Sequence, residues 1–192
     1  MKTAVIVAFD QFTDVDVFLP WDLLNRARLR EPAWRVQIVG TAPTHRSVCG
    51  LEVATHAPLE ACNDANVVLF ASGPGTRALV HNSDFLQRLR LDPQRQVIGS
   101  MCSGALILAA LGLLDGLTAT TYPTAVAALQ AMGVQVLPDR HLVTHGNIGT
   151  AAGCLAAVDL VGWALERVLG PAVRDAVVAS VQPVGQGMAC IY

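Results

Sequence analysis

The strongest constraint on the fold is a set of short, mostly apolar runs that alternate with helical patterns. The runs Lys2–Phe9, Asn66–Ala71 and Gln96–Met101 lack the polar–apolar alternation of half-exposed strands, so they predict strands buried on both faces. Helical patterns at 15–29 and 76–91 lie between them. This alternation predicts an α/β fold with a doubly wound, mostly parallel sheet that is flanked by helices on both faces.

The remaining segments continue the same pattern. Further strands are predicted at 34–40, 117–121, 134–137 and 141–144, a small hairpin at 46–55, and further helices at 105–111, 124–132, 151–169 and 172–181. A chain of 192 residues suits one domain. We therefore predict a single domain over 1–192, with a loose, glycine-rich tail at 182–192.

Composition excludes several partners. Charged residues make up only 15% of the chain and the net charge is −2, so nucleic acid and anionic membrane surfaces are not expected to bind it. The longest uncharged apolar run, Gly104–Leu114, is shorter than the roughly 20 residues that a membrane span needs. The high apolar content, 53%, suits a buried parallel sheet and a homodimer interface.

The cysteines and the start of the chain bear on compartment and cofactors. The five cysteines include no Cys-x-x-Cys pair, which argues against a disulfide framework and a structural zinc site. The first apolar run is followed by Asp10, Asp14 and Asp16, so it predicts a strand rather than a signal peptide. We therefore expect a cytoplasmic protein without a metal or another cofactor.

The strongest functional signal is the junction at Cys102. The predicted strand ends at Met101 and a helix begins almost at once, with Ser103 and Gly104 as small neighbours. A residue at such a corner is held in a strained backbone conformation, as is the serine of α/β-hydrolases. A helix N-terminus also favours a thiolate, which makes Cys102 a candidate nucleophile. A packing role is the common fate of free cysteines. It remains the interpretation for the other four, Cys49, Cys62, Cys154 and Cys190.

The Cys-Ser-Gly corner, the glycine-rich turn after the preceding strand and the acidic first loop together resemble the ThiJ/PfpI superfamily, over Lys2 to about Val181. Within it the chain is most similar to the isonitrile hydratase branch. The matching stretches are Val15-Asp16-Val17, Pro20-Trp21-Asp22, Cys102-Ser103-Gly104-Ala105, Gly112-Leu113-Leu114-Asp115-Gly116 and Ala119-Thr120-Thr121. The resemblance implies a flavodoxin-like, class I glutamine amidotransferase-like fold, a homodimer and a small-molecule substrate. It also implies that Asp16 is the acid facing Cys102, whereas the residues alone leave open a helix cap or a first-turn residue.

An acyl-type intermediate needs hydrogen-bond donors for its developing negative charge. The backbone N–H groups of Ser103 and of Gly73 or Gly75 are the candidates, because Pro74 has none. A plain tight turn is the alternative at Gly73–Gly75. Relatives usually carry Pro-Gly-Gly in this turn, where this chain has Ala71-Ser72-Gly73-Pro74-Gly75.

Two further departures concern the pocket. Many relatives place histidine directly after the cysteine, and the isonitrile hydratase branch tends to carry threonine there, where this chain has Ser103. Tyr122 follows Thr121 where that branch tends to carry histidine, so we expect both residues to help form the substrate site. His141 and His145 are expected at the surface, and without a placed histidine a Cys-His peptidase is disfavoured.

The leading hypothesis is a cysteine-dependent hydratase or lyase that converts an isonitrile to an N-substituted formamide. One alternative is a redox-sensing stress protein with an oxidisable Cys102. Another is a glyoxalase- or deglycase-like activity, since the same thiolate could attack a dicarbonyl. A ligand-sensing domain of a transcription regulator is disfavoured, because the sequence shows no basic helical extension for DNA binding.

Overall fold

The computed structural model describes residues 1–183 and 185, and its architecture is α/β. The strands are β1 (Thr3–Val7), β2 (Arg35–Gly40), β3 (Thr44–Arg46), β4 (Glu52–Ala54), β5 (Ala57–Pro58), β6 (Val67–Phe70), β7 (Val97–Met101), β8 (Thr118–Ala119), β9 (Gln135–Val136), β10 (Leu142–His145) and β11 (Ile148–Ala151). The helices are α1 (Asp14–Arg26), α2 (Thr76–Leu79), α3 (Ser83–Gln87), α4 (Ala105–Ala110), α5 (Val126–Ala131), α6 (Ala157–Leu169) and α7 (Pro171–Ala179). Short 3-10 turns cover Ala27–Leu29, Leu59–Asp64, Cys102–Gly104, Pro123–Ala125 and Cys154–Ala156.

Within the described residues the central sheet has seven strands in the order β10-β11-β7-β6-β1-β2-β5. All neighbouring strands are parallel except β10 and β11. Helices α1, α6 and α7 pack against one another, and a second group is formed by α2, α4 and α5. The predicted doubly wound, mostly parallel sheet is therefore confirmed.

The core lies around the central strands. Every residue of β6, β7 and β11 is buried, and β1 is buried from Ala4 onward. The largest buried side chain, Trp34, also satisfies its polar atom, because its Nε1 donates to the Leu24 carbonyl at 3.0 Å. No helix in the part of the chain that the structure describes has both the length and the apolar character needed to cross a bilayer.

Two predicted helices needed correction. The helix predicted at 76–91 is two short helices, α2 and α3, because the Asn82 side chain accepts a hydrogen bond from the Phe85 N–H and caps a new start. The helix predicted at 151–169 begins only at Ala157, because residues 148–151 form β11. The predicted hairpin at 46–55 is confirmed as the antiparallel pair β3–β4.

Strand β11 was not predicted because its sequence, Ile-Gly-Thr-Ala, has little apolar bulk. Its small residues have a packing reason. A Cβ at Gly149 would lie 2.7 Å from the Trp163 ring, so glycine lets α6 lie close against the sheet. Four neighbouring parallel strands position the site, in the order β11-β7-β6-β1. The segments that follow the carboxyl ends of these strands therefore meet at the same end of the sheet. Of the tail predicted as loose, 184 and 186–192 lie outside the described residues.

Candidate active site

Cys102 lies at the junction between β7 and the 3-10 turn that leads into α4. Its φ is +46°, in the left-handed region that costs a residue with a Cβ about 1–2 kcal/mol. Thr121 holds this backbone, since its Oγ1 donates to the Cys102 carbonyl at 2.7 Å. Gly104 permits the close turn, because a Cβ there would lie 2.7 Å from the Ala71 carbonyl oxygen. The predicted strained corner is present.

Asp16 is the acid beside this thiol. It lies in the first turn of α1, is completely buried, and accepts a hydrogen bond from the Ser72 hydroxyl through Oδ2. Its other oxygen, Oδ1, is buried without a nitrogen or oxygen donor among the described residues. The carboxyl group lies within 4.8 Å of the Cys102 sulfur. Asp16 is therefore a first-turn residue that also faces the thiol, and its Oδ1 has no hydrogen-bond partner among the described residues.

Cys154 completes the cluster. It begins the turn after β11 and is half-buried, and its sulfur lies within 4.8 Å of both the Asp16 carboxyl and the Cys102 sulfur. The backbone N–H of the preceding residue, Gly153, lowers the pKa of Cys102. The packing role predicted for Cys154 was wrong, because the undetected strand β11 brings it to the site. The predicted packing role agrees with the buried position of Cys62 but not with the exposed position of Cys49. Cys190 lies outside the described residues. Two sulfurs and a carboxyl oxygen at this spacing also form a donor set that a soft cation such as Zn²⁺ accepts.

The electrostatics of the cluster oppose charge on the thiol. Burial raises the pKa of Asp16, and hydrogen bonds from Ser72 and the two thiols only partly offset it. Burial, followed by the charge of Asp16, raises the pKa of Cys102 to about 12. A helix N-terminus favours a thiolate and a neighbouring carboxylate disfavours it, and these two opposing effects meet at Cys102. The helix behind Cys102 is only six residues long, and desolvation and the carboxylate outweigh it. Chemistry at this sulfur therefore requires that its proton be removed during the reaction.

A second network ties the corner to the turn after β6. The Gly73 N–H donates to Ser103 Oγ at 3.1 Å, and Thr76 Oγ1 donates to the same oxygen at 3.2 Å. Gly73 has φ +143°, and a Cβ there would lie 2.1 Å from the Gln11 carbonyl oxygen. The hydroxyl of Ser103 thus anchors the turn, and the Gly73 N–H that the sequence offered as an oxyanion donor is already engaged with it.

The cluster opens into a pocket of about 550 Å³. Its lining includes Cys102, Ser72, Gly73, Pro74, Ser103 and Tyr122, together with four residues that sequence reasoning missed, namely Thr13, Arg77, Thr124 and Cys154. Tyr122 is 46% exposed, so its phenol lies at the rim. Thr121 and Gly75 do not line the pocket: Thr121 supports Cys102 from behind, and Gly75 precedes α2.

The remaining acids and histidines lie elsewhere. Asp10 accepts from the Arg46 N–H and pairs with His45 at 3.3 Å. Asp14 is the first residue of α1 rather than its cap, and it lies beside Cys49. His141 pairs with Asp159 at 3.1 Å, and His145 bonds Thr118 at 2.9 Å. Neither of these two histidines lines the pocket of Cys102.

Comparison with known proteins agrees with this geometry. The sequence model of the DJ-1/PfpI family matches residues 1–167. The chain belongs to the DJ-1/PfpI family. Among DJ-1/PfpI relatives, the isonitrile hydratase of Pseudomonas putida is 28% identical over 167 residues, which cover 84% of this chain and 70% of that protein.

Solved DJ-1/PfpI structures share the fold. A ThiJ/PfpI family protein from Pseudomonas syringae superposes with a TM-score of 0.82 at 23% identity, over 96% of this chain and 77% of the other. DJ-1beta of Drosophila melanogaster superposes with a TM-score of 0.81 at 20% identity, over 94% and 97%. The ThiJ/PfpI resemblance predicted from the sequence is therefore confirmed.

Proposed function

We propose that this protein is a cysteine-dependent hydratase that converts an isonitrile into an N-substituted formamide. The observation that carries the proposal is the buried pair of Asp16 and Cys102, whose carboxyl and sulfur lie within 4.8 Å of each other, with Cys102 lining a pocket. The similarity to the isonitrile hydratase of Pseudomonas putida supports the choice of substrate.

The pair supplies a nucleophile and a proton carrier in one place. Because the Cys102 pKa is raised to about 12, the resting sulfur holds its proton. Asp16 has an oxygen without a nitrogen or oxygen donor within reach of that proton. A carboxyl whose pKa is raised by burial is also a stronger base than an exposed one, so it is suited to take up and return a proton during turnover.

The proposed reaction passes through an intermediate in which the isonitrile carbon is bonded to the Cys102 sulfur. The Cys102 proton moves to Asp16 as the sulfur bonds to the isonitrile carbon, and Asp16 returns that proton to the same carbon, which gives an S-bound thioimidate. Water adds to this carbon and the nitrogen takes up a proton. The carbon–sulfur bond then breaks, the formamide leaves, and the thiol regains its proton. The sum is one isonitrile plus one water giving one N-substituted formamide.

The surrounding residues position these steps. Thr121 and Gly104 fix the direction of the sulfur, while Ser103 and Gly73 hold the wall beside it. A pocket of about 550 Å³ suits a small organic molecule, with the isonitrile carbon at the sulfur and the substituent toward Tyr122 at the rim. We assign the backbone N–H of Ser103, which lines the pocket, the role of polarising the bound group.

The test is to incubate purified protein with an aliphatic isonitrile and to quantify formamide by mass spectrometry. We expect turnover by the wild type and a loss of about 10³-fold or more in Cys102→Ala. Cys49→Ser is the matched control, since Cys49 is exposed and outside the pocket, and it should turn over like the wild type. No formamide from the wild type, or equal rates in Cys102→Ala, would refute the proposal.

A parallel assay with a dicarbonyl such as methylglyoxal distinguishes the alternative enzyme class. Consumption of the dicarbonyl that depends on Cys102, with no conversion of any isonitrile, would replace the hydratase by a glyoxalase- or deglycase-like activity. The same thiol would attack in both cases, so the substrate alone separates them.

We further propose a homodimer and a cytoplasmic location. Phe18, Val48 and Leu51 are exposed apolar residues on α1 and on the adjoining β3–β4 turn. Phe18 contacts the ring of Phe12, whose carbonyl accepts from the Val48 N–H, so the three belong to one neighbourhood. Sedimentation should give twice the chain mass, and Phe18→Glu should shift it toward the monomer. The free cysteines at 49, 62, 102 and 154 fit a reducing compartment.

A further inference from the structure

We propose that Cys154 is the resolving thiol of Cys102, so that oxidation of the site by a hydroperoxide ends in a disulfide between these two residues. This inference goes beyond the hydratase proposal and does not depend on it. It rests on the position of the second sulfur, which the hydratase chemistry leaves unused.

The geometry brings the two sulfurs together from separate parts of the chain. Cys102 follows β7 and Cys154 follows β11, and these strands are paired in register through Ala151 and Met101. The two sulfurs lie within 4.8 Å of each other. A disulfide needs a separation of about 2.05 Å, so the sulfurs must approach by less than about 3 Å.

The segment that carries Cys154 has room for this approach. Gly153 has φ +91°, and the space around the position of a Cβ there is open. The next residue, Leu155, is 79% exposed, so no core packing fixes the turn on that side. Cys102 is held by its strained corner, and we therefore expect Cys154 to make most of the movement.

The chemistry balances with a hydroperoxide as the only oxidant. The Cys102 thiol reacts with hydrogen peroxide to give a sulfenic acid and one water. The Cys154 thiol then attacks that sulfur, the sulfur–oxygen bond breaks, and a second water leaves with the Cys154 proton. Peroxide thereby accepts two electrons and the two thiols lose them. Asp16 lies beside both sulfurs and is suited to carry the proton in each step.

The other described cysteines lack this arrangement. Cys62 is fully buried, and Cys49 is exposed beside Asp14 on the β3–β4 turn. The cluster within 4.8 Å contains only Asp16, Cys102 and Cys154 among the residues that the structure covers. A disulfide formed at mild peroxide levels should therefore join Cys102 to Cys154 and leave Cys49 and Cys62 reduced.

The experiment is a peptide mass analysis after peroxide treatment. The full-length protein is dialysed against a chelator, because the same three side chains could hold a soft cation, and is then treated with hydrogen peroxide and alkylated in denaturant. Trypsin separates the two cysteines into residues 96–140 and 141–167, each of which contains a single cysteine. We expect these two peptides to be linked, two hydrogens lighter than their sum, and separated again by dithiothreitol.

Cys154→Ser and Cys154→Ala provide the contrast, and Cys49→Ser the matched control. Without the resolving thiol, Cys102 should gain two or three oxygens, at a rate at least about tenfold above that of the wild type, because a neighbouring thiol competes at a high effective concentration. Circular dichroism verifies that the variants fold. Wild-type Cys102 that gains two oxygens as fast as in Cys154→Ser, without linked peptides, would overturn the inference. This experiment measures the disulfide by peptide mass and does not measure hydratase activity. The disulfide can therefore be found in a protein that hydrates no isonitrile, and it can be absent from an active hydratase.

Discussion

Replacing Asp16 by asparagine separates the two effects that this carboxyl has on Cys102. The charge of Asp16 raises the pKa of the thiol, so Asp16→Asn should make Cys102 easier to ionise. The same substitution removes the group that carries the proton in our mechanism. We therefore expect a more ionised thiol and a less active enzyme, a combination that general damage to the site would not produce.

The structure sets the size of the first effect. Two unit charges 4.8 Å apart interact by about 3.5 kcal/mol at an effective dielectric of 20, which corresponds to a difference of about 2.5 in pKa. The effect in the protein is smaller than this figure, since burial is the larger cause of the raised Cys102 pKa of about 12. We expect the pKa of Cys102 in Asp16→Asn to fall by about one, because the charge of Asp16 accounts for less than half of the rise from 9 to about 12.

Alkylation of Cys102 by iodoacetamide, followed by mass analysis of the peptide 96–140, measures this change. At neutral pH a pKa lower by one means about tenfold more thiolate, so Asp16→Asn should be alkylated about tenfold faster than the wild type. Formamide production should fall by about 10²-fold or more, the usual contribution of a positioned acid or base. Unchanged or slower alkylation would refute the electrostatic reasoning, and full activity would refute the role of Asp16 in proton transfer.

Asp16→Asn should also stabilise the fold. The pKa of Asp16 is raised in the folded protein above the unfolded value of 3.8, so the folded state favours the neutral acid. Its contribution to the free energy of unfolding is therefore greatest below that value and is lost as the pH rises toward the folded pKa. The neutral amide avoids this loss. Chemical denaturation at neutral pH should show a gain of about 1 kcal/mol, and a lower stability would contradict the reasoning.

Three further outcomes follow from the same geometry. Thr121→Val should lower the free energy of unfolding by about 1–2 kcal/mol, measured by urea denaturation, because it removes the hydrogen bond from Thr121 Oγ1 to the Cys102 carbonyl; Thr3→Val, at a partly buried residue, is the control. Gly104→Ala should cost about 2–4 kcal/mol and most of the activity, since its Cβ would meet carbonyl oxygens at 2.7 and 2.9 Å; no loss of stability would contradict the close contact. Raising the pH from 9 toward 12 should lower the free energy of unfolding, because the thiol ionises from about pH 9 in the unfolded chain but keeps its proton to about pH 12 in the folded protein. In Cys102→Ala this fall in the free energy of unfolding should be smaller.

Local sequence features predicted the frame of the site. The apolar runs predicted β1, β6 and β7. The strained corner was predicted from a strand that runs directly into Cys102-Ser103-Gly104, because small neighbours are what such a sharp junction requires. The turn after β6 was predicted from its place at the carboxyl end of a strand, and only the role of Asp16 followed from the resemblance. These parts depend on residues close together in the sequence, or on a pattern shared with relatives.

The features of the site that were not predicted from the sequence depend on contacts between distant segments. Strand β11 has weak strand character, and its pairing with β7 and the space it leaves for Trp163 are visible only in the fold. Missing β11 also hid Cys154, which no local signal marks. The protonation of Cys102 likewise depends on distant segments, because burial and a carboxylate from another helix outweigh the short helix that begins beside it.

The order of the central strands has a consequence for how the protein matures. Asp16, Ser72, Cys102 and Cys154 follow β1, β6, β7 and β11, so the reactive cluster exists only when four strands distant in the sequence have paired. Non-local parallel pairing is slow, and it is completed late in folding. In a partly folded chain Cys102 and Cys154 are not yet neighbours, so the appearance of the proposed disulfide during refolding would report the pairing of β7 with β11.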